Sequence, residues 1–249
     1  MDNEELQWRP AIPGELISSN EVHVWRAWLD LTALQYENLL GFLSKDELAR
    51  AKRFRFERDQ KRFIVARGIL RQILGRYLGK KPNELVFEYS SQGKPALATY
   101  PGCGTLHFNL SHSDGFALYA VTRDRNIGID IERIRDDAAV DQIARRFYSQ
   151  GEISSLFRMH IDRRTELFFQ YWTRKEAFIK AIGEGISFPM EQCDVSLISG
   201  SVLSPIILHS DKIESLRWYG QDLFPGCGYA AAIAVEGTDW DLSFWHYTL

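Results

Sequence analysis

Two acids and a glycine share one side of a short alternating segment, Asn126-Ile127-Gly128-Ile129-Asp130-Ile131-Glu132-Arg133-Ile134. Side chains alternate along an extended strand, so Ile127, Ile129 and Ile131 fall on one face and Gly128, Asp130 and Glu132 on the other. The isoleucine face must be buried. The opposite face offers two carboxylates about 6–7 Å apart along the strand. Such a pair can converge on a hard cation, and the glycine leaves room for a bulky ligand or another backbone to approach. A half-exposed strand with two ordinary surface acids carries the same pattern.

A second cluster follows in Tyr171-Trp172-Thr173-Arg174-Lys175-Glu176-Ala177-Phe178-Ile179-Lys180. Helical spacing makes Leu167, Phe168, Tyr171, Trp172, Phe178 and Ile179 the bulky apolar set, with Thr173, Glu176 and Lys180 on a neighbouring face. Glu176 before Lys180 is the favourable order for an intrahelical ion pair worth about 0.2–0.5 kcal/mol. That pair accounts for two residues and leaves the charged wedge Arg174-Lys175-Glu176 unexplained. A third segment, Phe108-Asn109-Leu110-Ser111-His112-Ser113-Asp114-Gly115, reads as a strand delivering Ser111 and His112 to a turn. Serine beside histidine in sequence is not a triad, and no GxSxG elbow accompanies it. A histidine at a strand end also serves structural roles.

These residues need a scaffold. Phe63, Ala66, Leu70, Ile73, Leu74 and Tyr77 recur every three or four positions, predicting a helix over Asp59–Leu78 that Gly79 and Pro82 stop. Ser44-Lys45-Asp46-Glu47 has the form of a capping box opening a shorter helix before it. Strands are expected at Leu85–Tyr89, Leu106–Leu110, Phe116–Val121, Asn126–Ile134, Cys193–Ile198, Ser201–Leu208, Tyr229–Val235 and Leu242–Tyr247. Short helices are expected at Val140–Phe147 and Gly151–Arg158, and a long one at Arg164–Ile182. Strands and helices mix without strict alternation, which indicates an α+β protein. A join falls near Arg123-Asp124-Arg125-Asn126, with no sign of a flexible linker.

Composition narrows the function. The chain has 249 residues and a formal charge of −3, yet Lys45–Lys81 carries thirteen cations against four acids, a net +9, leaving −12 elsewhere. Near-neutral overall charge argues against a protein that coats nucleic acid. The basic run is either a solvated helix face or an anion-binding surface. Seven Trp, ten Tyr and fifteen Phe exclude disorder as the main state. Cys103, Cys193 and Cys227 form no CxxC pair, which suits a reducing cytoplasm better than a disulfide framework or a structural zinc. The acidic start Met1-Asp2-Asn3-Glu4-Glu5 is unlike a signal peptide, and no apolar run approaches the about 20 residues of a membrane helix.

Gly128-Ile129-Asp130, 41 intervening residues, and then Trp172-Thr173-Arg174-Lys175-Glu176-Ala177-Phe178-Ile179-Lys180 resemble the two-part signature of the 4′-phosphopantetheinyl transferases. The Gln92-Gly93-Lys94-Pro95 turn, the Phe108–Ser113 strand and the Arg53–Arg62 basic stretch resemble further segments of the long, Sfp-type members. The tryptophan and alanine of the second motif resemble the Trp/Lys-Glu-Ala subgroup. The resemblance implies two similar α+β halves packed as a pseudo-dimer, residues 1–122 on the nucleotide side and 123–249 with the metal site and catalytic helix, and an active site in the cleft between them.

It also implies the chemistry: the phosphopantetheine arm of coenzyme A passes to a serine of an apo acyl or peptidyl carrier protein, releasing adenosine 3′,5′-bisphosphate. Asp130, Glu132 and Glu176 would hold Mg²⁺ (or Mn²⁺), with Glu152 as a further acid. Glu176 is the leading candidate for the base and Glu152 competes with it. Lys180 and His112 would serve the transferred phosphoryl group. Arg62, Arg55, Lys94, Ser111, His112 and Lys180 would bind coenzyme A, and Gly128 would leave room for the ligand. The expected enzyme is a cytoplasmic monomer serving fatty acid, polyketide or nonribosomal peptide synthesis, without nucleic-acid or membrane partners. A Mg²⁺-dependent nucleotide phosphohydrolase and a non-catalytic carrier-protein or RNA binder are the alternatives from other classes.

Overall fold

Two helices of 22 residues organise the chain, each laid across its own sheet. The computed structural model describes residues 8–10, 17–98, 105–136, 139–200, 202–209 and 217–248. The first half runs β1 (Arg9–Pro10), β2 (Glu21–Trp28), α1 (Ala33–Leu40), α2 (Lys45–Ala51), α3 (Glu57–Leu78), β3 (Phe87–Tyr89), β4 (Pro95–Leu97), β5 (Leu106–Ser113) and β6 (Phe116–Arg123). The second runs β7 (Ile127–Arg133), α4 (Val140–Phe147), α5 (Gln150–Arg158), α6 (Ile161–Ile182), β8 (Cys193–Asp194), β9 (Ser204–Pro205), β10 (Ile207–Leu208), β11 (Trp218–Leu223), β12 (Tyr229–Glu236) and β13 (Asp241–His246).

One unit is used twice. Strand β2 pairs antiparallel with β6, and β6 with β5; likewise β7 pairs with β12, and β12 with β11. The α+β class with two similar halves is therefore borne out. The last strand breaks the repeat: β13 returns to the first sheet and pairs parallel with β2, giving the order β1-β13-β2-β6-β5 beside β7-β12-β11-β9. The second half of the chain thus lends a strand to the sheet of the first.

Helix α3 buries the periodic face expected of it, and Gly79 ends it in the left-handed conformation, where a glycine carries no Cβ penalty. Apolar side chains lie in three layers. Leu70, Ile73 and Leu74 of α3 meet Trp25 and Tyr119 on one side of the first sheet. Between the sheets, Val22, Val24 and Leu118 meet Ile127, Ile129, Ile131 and Ile233. Phe178 and Ile179 of α6 cover Ala232 and Ala234 on the outer face of the second sheet. The isoleucine face of β7 is thus sealed against the first half, so its acid face must look toward α6.

Several elements differ from expectation. Ser111, His112 and Ser113 belong to β5, and the turn is only Asp114-Gly115, both at positive φ (44° and 81°) as a two-residue hairpin requires. The strands expected at Cys193–Ile198 and Ser201–Leu208 shrink to the two-residue β8, β9 and β10, with Ser201 outside the described residues. Cys193 is buried and Cys227 exposed, both as free thiols, while Cys103 lies outside the described residues. Among the described residues no helix is long and apolar enough to cross a membrane.

Candidate active site

The site forms where an edge strand of each sheet runs beside the other without a backbone ladder. Side chains of β5 make the connection. Asn109 Oδ1 accepts from the Ile129 N–H at 2.9 Å, Ser111 Oγ donates to Asp130 Oδ1 at 2.8 Å, and Ser113 Oγ donates to Glu132 Oε2 at 2.8 Å. Period-two alternation puts all three on one face of β5, opposite Phe108 and Leu110, from which their polar atoms reach β7.

Asp130 is 4% exposed, and its Oδ1 also accepts from Lys180 Nζ at 2.6 Å. Its Oδ2 is buried without a partner, a costly arrangement that a bound cation would relieve. Burial, then the charge of Asp130, raises the pKa of Glu132 above the ordinary range. The same two causes, in that order, raise Glu176, with a smaller push from Glu132. Three acids therefore sense one another across β7 and α6. Among the described residues no three acidic, histidine or cysteine side chains already form a metal-enclosing group. The donor set nevertheless fits Mg²⁺, which takes a few carboxylates together with ligand oxygens and water.

Cations stand beside the acids. Lys180 pairs with Asp130 rather than with Glu176 one turn away, and also donates to Ser111 Oγ at 2.9 Å. His112 is depressed below its usual pKa by burial, then by the charges of Lys180 and Arg62, and so is neutral at pH 7. Arg62 donates side-on to Asp30, from Nε at 2.9 Å and Nη2 at 2.6 Å, with Asp114 at 3.6 Å from Nη1. A cavity of about 440 Å³ opens along Glu176, Lys180, Asn109 and the Gly93-Lys94-Pro95 turn.

Comparison with known proteins agrees with this geometry. A family model described as the 4′-phosphopantetheinyl transferase superfamily matches residues 126–234, and one described as 4′-phosphopantetheinyl transferase, N-terminal, matches 26–124. The 4′-phosphopantetheinyl transferase HetI of Nostoc sp. is 41% identical over 96% of this chain and 98% of its own. The chain belongs to the 4′-phosphopantetheinyl transferase family. The transferase Sfp of Bacillus subtilis is 30% identical over 87% of this chain and 93% of its own. The L-aminoadipate-semialdehyde dehydrogenase-phosphopantetheinyl transferase of Xenopus laevis is 28% identical over 78% and 68%.

In this transferase the charged wedge divides its labour. Arg174 is buried in a bidentate pair with Asp222, at 2.8 and 2.7 Å. Lys175 is fully buried, pairing with Glu152 at 2.9 Å and donating to the carbonyls of Met190 and Cys193. Both pin α6 to its own half, and only Glu176 faces the acids of β7.

Four expectations need correction. Glu152 is no metal-site acid or base: its Oε1 accepts from the Val195 N–H, and its Oε2 from the Ser149 N–H and Lys175. Of the two neighbours the pattern allowed beside Gly128, the backbone and not the ligand implied by the resemblance fills the space, since a Cβ there would lie 2.0 Å from the Ala177 carbonyl oxygen and 2.4 Å from the Ala181 nitrogen. The Lys94 ammonium, lowered to about 8 by burial, is turned to backbone carbonyls rather than to an open phosphate site. The basic run is partly internal, because Arg67 and Arg71 are buried on the capping-box residue Glu47, Arg67 at 2.8 Å and Arg71 at 2.7 Å. Arg55 is exposed and stacks on Phe56. Asn109, Ser113 and Asp30 went unread as site residues; the alternation of Asn109, Ser111 and Ser113 was the available signal.

Proposed function

We propose that the transferase moves the 4′-phosphopantetheine arm of coenzyme A onto a serine of an apo acyl or peptidyl carrier protein, with Mg²⁺ as cofactor. The observation carrying this reading is the meeting, at one seam, of three mutually repelling acids with the cations Lys180 and Arg62 and the neutral imidazole of His112, drawn from both halves. Asp130, Glu132 and Glu176 would hold Mg²⁺, which supplies charge neutralisation for the pyrophosphate when bound. Arg62, held between Asp30 and Asp114, would turn its guanidinium to a phosphate of coenzyme A, while Lys180 and His112 would donate to the transferred phosphoryl group. Glu176, as the base, takes the proton from the carrier serine. The serine oxygen then bonds the pantetheine-bearing phosphorus, and the phosphorus–oxygen bond to the departing adenosine 3′,5′-bisphosphate breaks. Because both flanks of the site come from one chain, the enzyme would act as a monomer, and we place it in the cytoplasm on its cysteine usage.

Incubation with a panel of apo carriers, coenzyme A and Mg²⁺ should add one phosphopantetheine mass to a carrier serine. Coenzyme A turnover without carrier, and no added mass on any of them, would replace transfer with phosphohydrolysis.

A further inference from the structure

Lys94 belongs to the first half, but its ammonium lies against the second. It donates to the carbonyls of Lys180 and of Ala181 (3.1 Å) in the last turn of α6, and at 3.5 Å to that of Ile127, where β7 begins. The last four carbonyls of a helix lack intrahelical partners, and a cation there also meets the negative end of the helix dipole. The Ile179 carbonyl is satisfied by the Gly183 N–H. Lys94 takes the next two. Lys180 is therefore gripped at both ends, its carbonyl by Lys94 and its Nζ by Asp130 and Ser111. Lys94 also lines two adjacent cavities, of about 440 and 520 Å³, on the two halves' boundary.

We infer that Lys94 is a positioning residue, an interdomain cap that fixes the end of the catalytic helix against the first half and thereby aims Lys180 at Asp130. Its catalytic consequence rests on the transferase reading; the cap itself does not. Three donors directed at three carbonyls keep Lys94 from acting as a phosphate ligand. Phosphate ligands and helix caps leave different signatures. Losing a ground-state phosphate contact raises KM for coenzyme A, whereas losing the aim of Lys180 lowers kcat.

The test uses the full chain with Lys94→Met and with Lys94→Gln, which retains two donors. Amide hydrogen exchange without substrates should quicken about tenfold or more over the last turn of α6 in Lys94→Met. In the carrier-loading assay its kcat should fall about 10–100-fold, with KM for coenzyme A changed less than about twofold. Lys94→Gln should recover part of both. Unchanged exchange in Lys94→Met would overturn the cap, as would a raised KM with kcat retained. If Lys94→Met does not fold, Lys94→Gln carries both measurements with the same signs. If the unaltered protein loads no carrier, the transferase reading fails, and exchange alone decides the cap.

Discussion

Replacing Gly128 with alanine tests whether contact between α6 and β7 sets the site. The added Cβ would lie 2.0 Å from the Ala177 carbonyl oxygen and 2.4 Å from the Ala181 nitrogen. Both obstacles are helix backbone, so no side chain can swing away. Ordinary contact begins near 3.4 Å, so α6 must retreat by about 1.4 Å. A retreat of that size stretches the 2.6 Å Lys180–Asp130 pair toward about 4 Å and draws Glu176 back with it. Overpacking a dense core costs about 1–3 kcal/mol, and rigid obstacles place this change near 3. At about 2–4 °C per kcal/mol for a chain of this size, Tm should fall by roughly 6–12 °C. A misplacement of about 1 Å costs on the order of 100-fold in rate. Thermal melting and carrier loading read both quantities. A variant that melts within about 2 °C of the parent and transfers at near-normal rate would refute the contact argument.

Glu152→Gln should destabilise the fold by about 3–5 kcal/mol, because it leaves Lys175 buried without its partner; chemical denaturation measures the loss, and an altered Mg²⁺ requirement in the folded fraction would return Glu152 to the metal site. Glu176→Gln should abolish transfer while keeping a native circular dichroism spectrum, and a rate within about tenfold of the parent would remove Glu176 from the role of base. Glu132 and Glu176 have folded-state pKa values raised above 4.5, so the stability they contribute is full below that pH and fades as pH rises through the raised values. Mg²⁺ should therefore raise Tm more at about pH 8 than at about pH 5, and equal shifts at both would separate the ion from these acids. Arg62→Ala should raise KM for coenzyme A with little change in kcat, and an unchanged KM would move the phosphate contact elsewhere.

The strongly periodic parts of this fold were legible in the sequence. Helix α3 announced its buried face and its glycine stop, and β7 announced two faces with different destinations. Strand β2 was hidden because His23 and Arg26 interrupt an otherwise apolar run; His23 is buried against Tyr77, a partner 54 residues away. At the site, alternation identified Asp130 and Glu132, but it could not say which charges of Arg174-Lys175-Glu176 would turn inward. That sorting depends on Asp222 and Glu152, which lie on distant elements. The same gap explains Lys94 and Gly128. A lysine in a turn advertises a free cation, and a glycine beside acids advertises space, until the tertiary structure brings α6 against both.

The doubled unit has an arithmetic of its own. A true twofold would give equal treatment to the outer edges of β2 and β7, and hence two equivalent grooves. Here only the edge of β7 is left for side chains to bridge, while β13 zips onto that of β2 over six residue pairs. The C-terminal strand thus works as a plug for the symmetry mate of the working groove. A molecule built from two alike parts is in this way left, among its described residues, with one such groove, to which the two halves need not contribute alike.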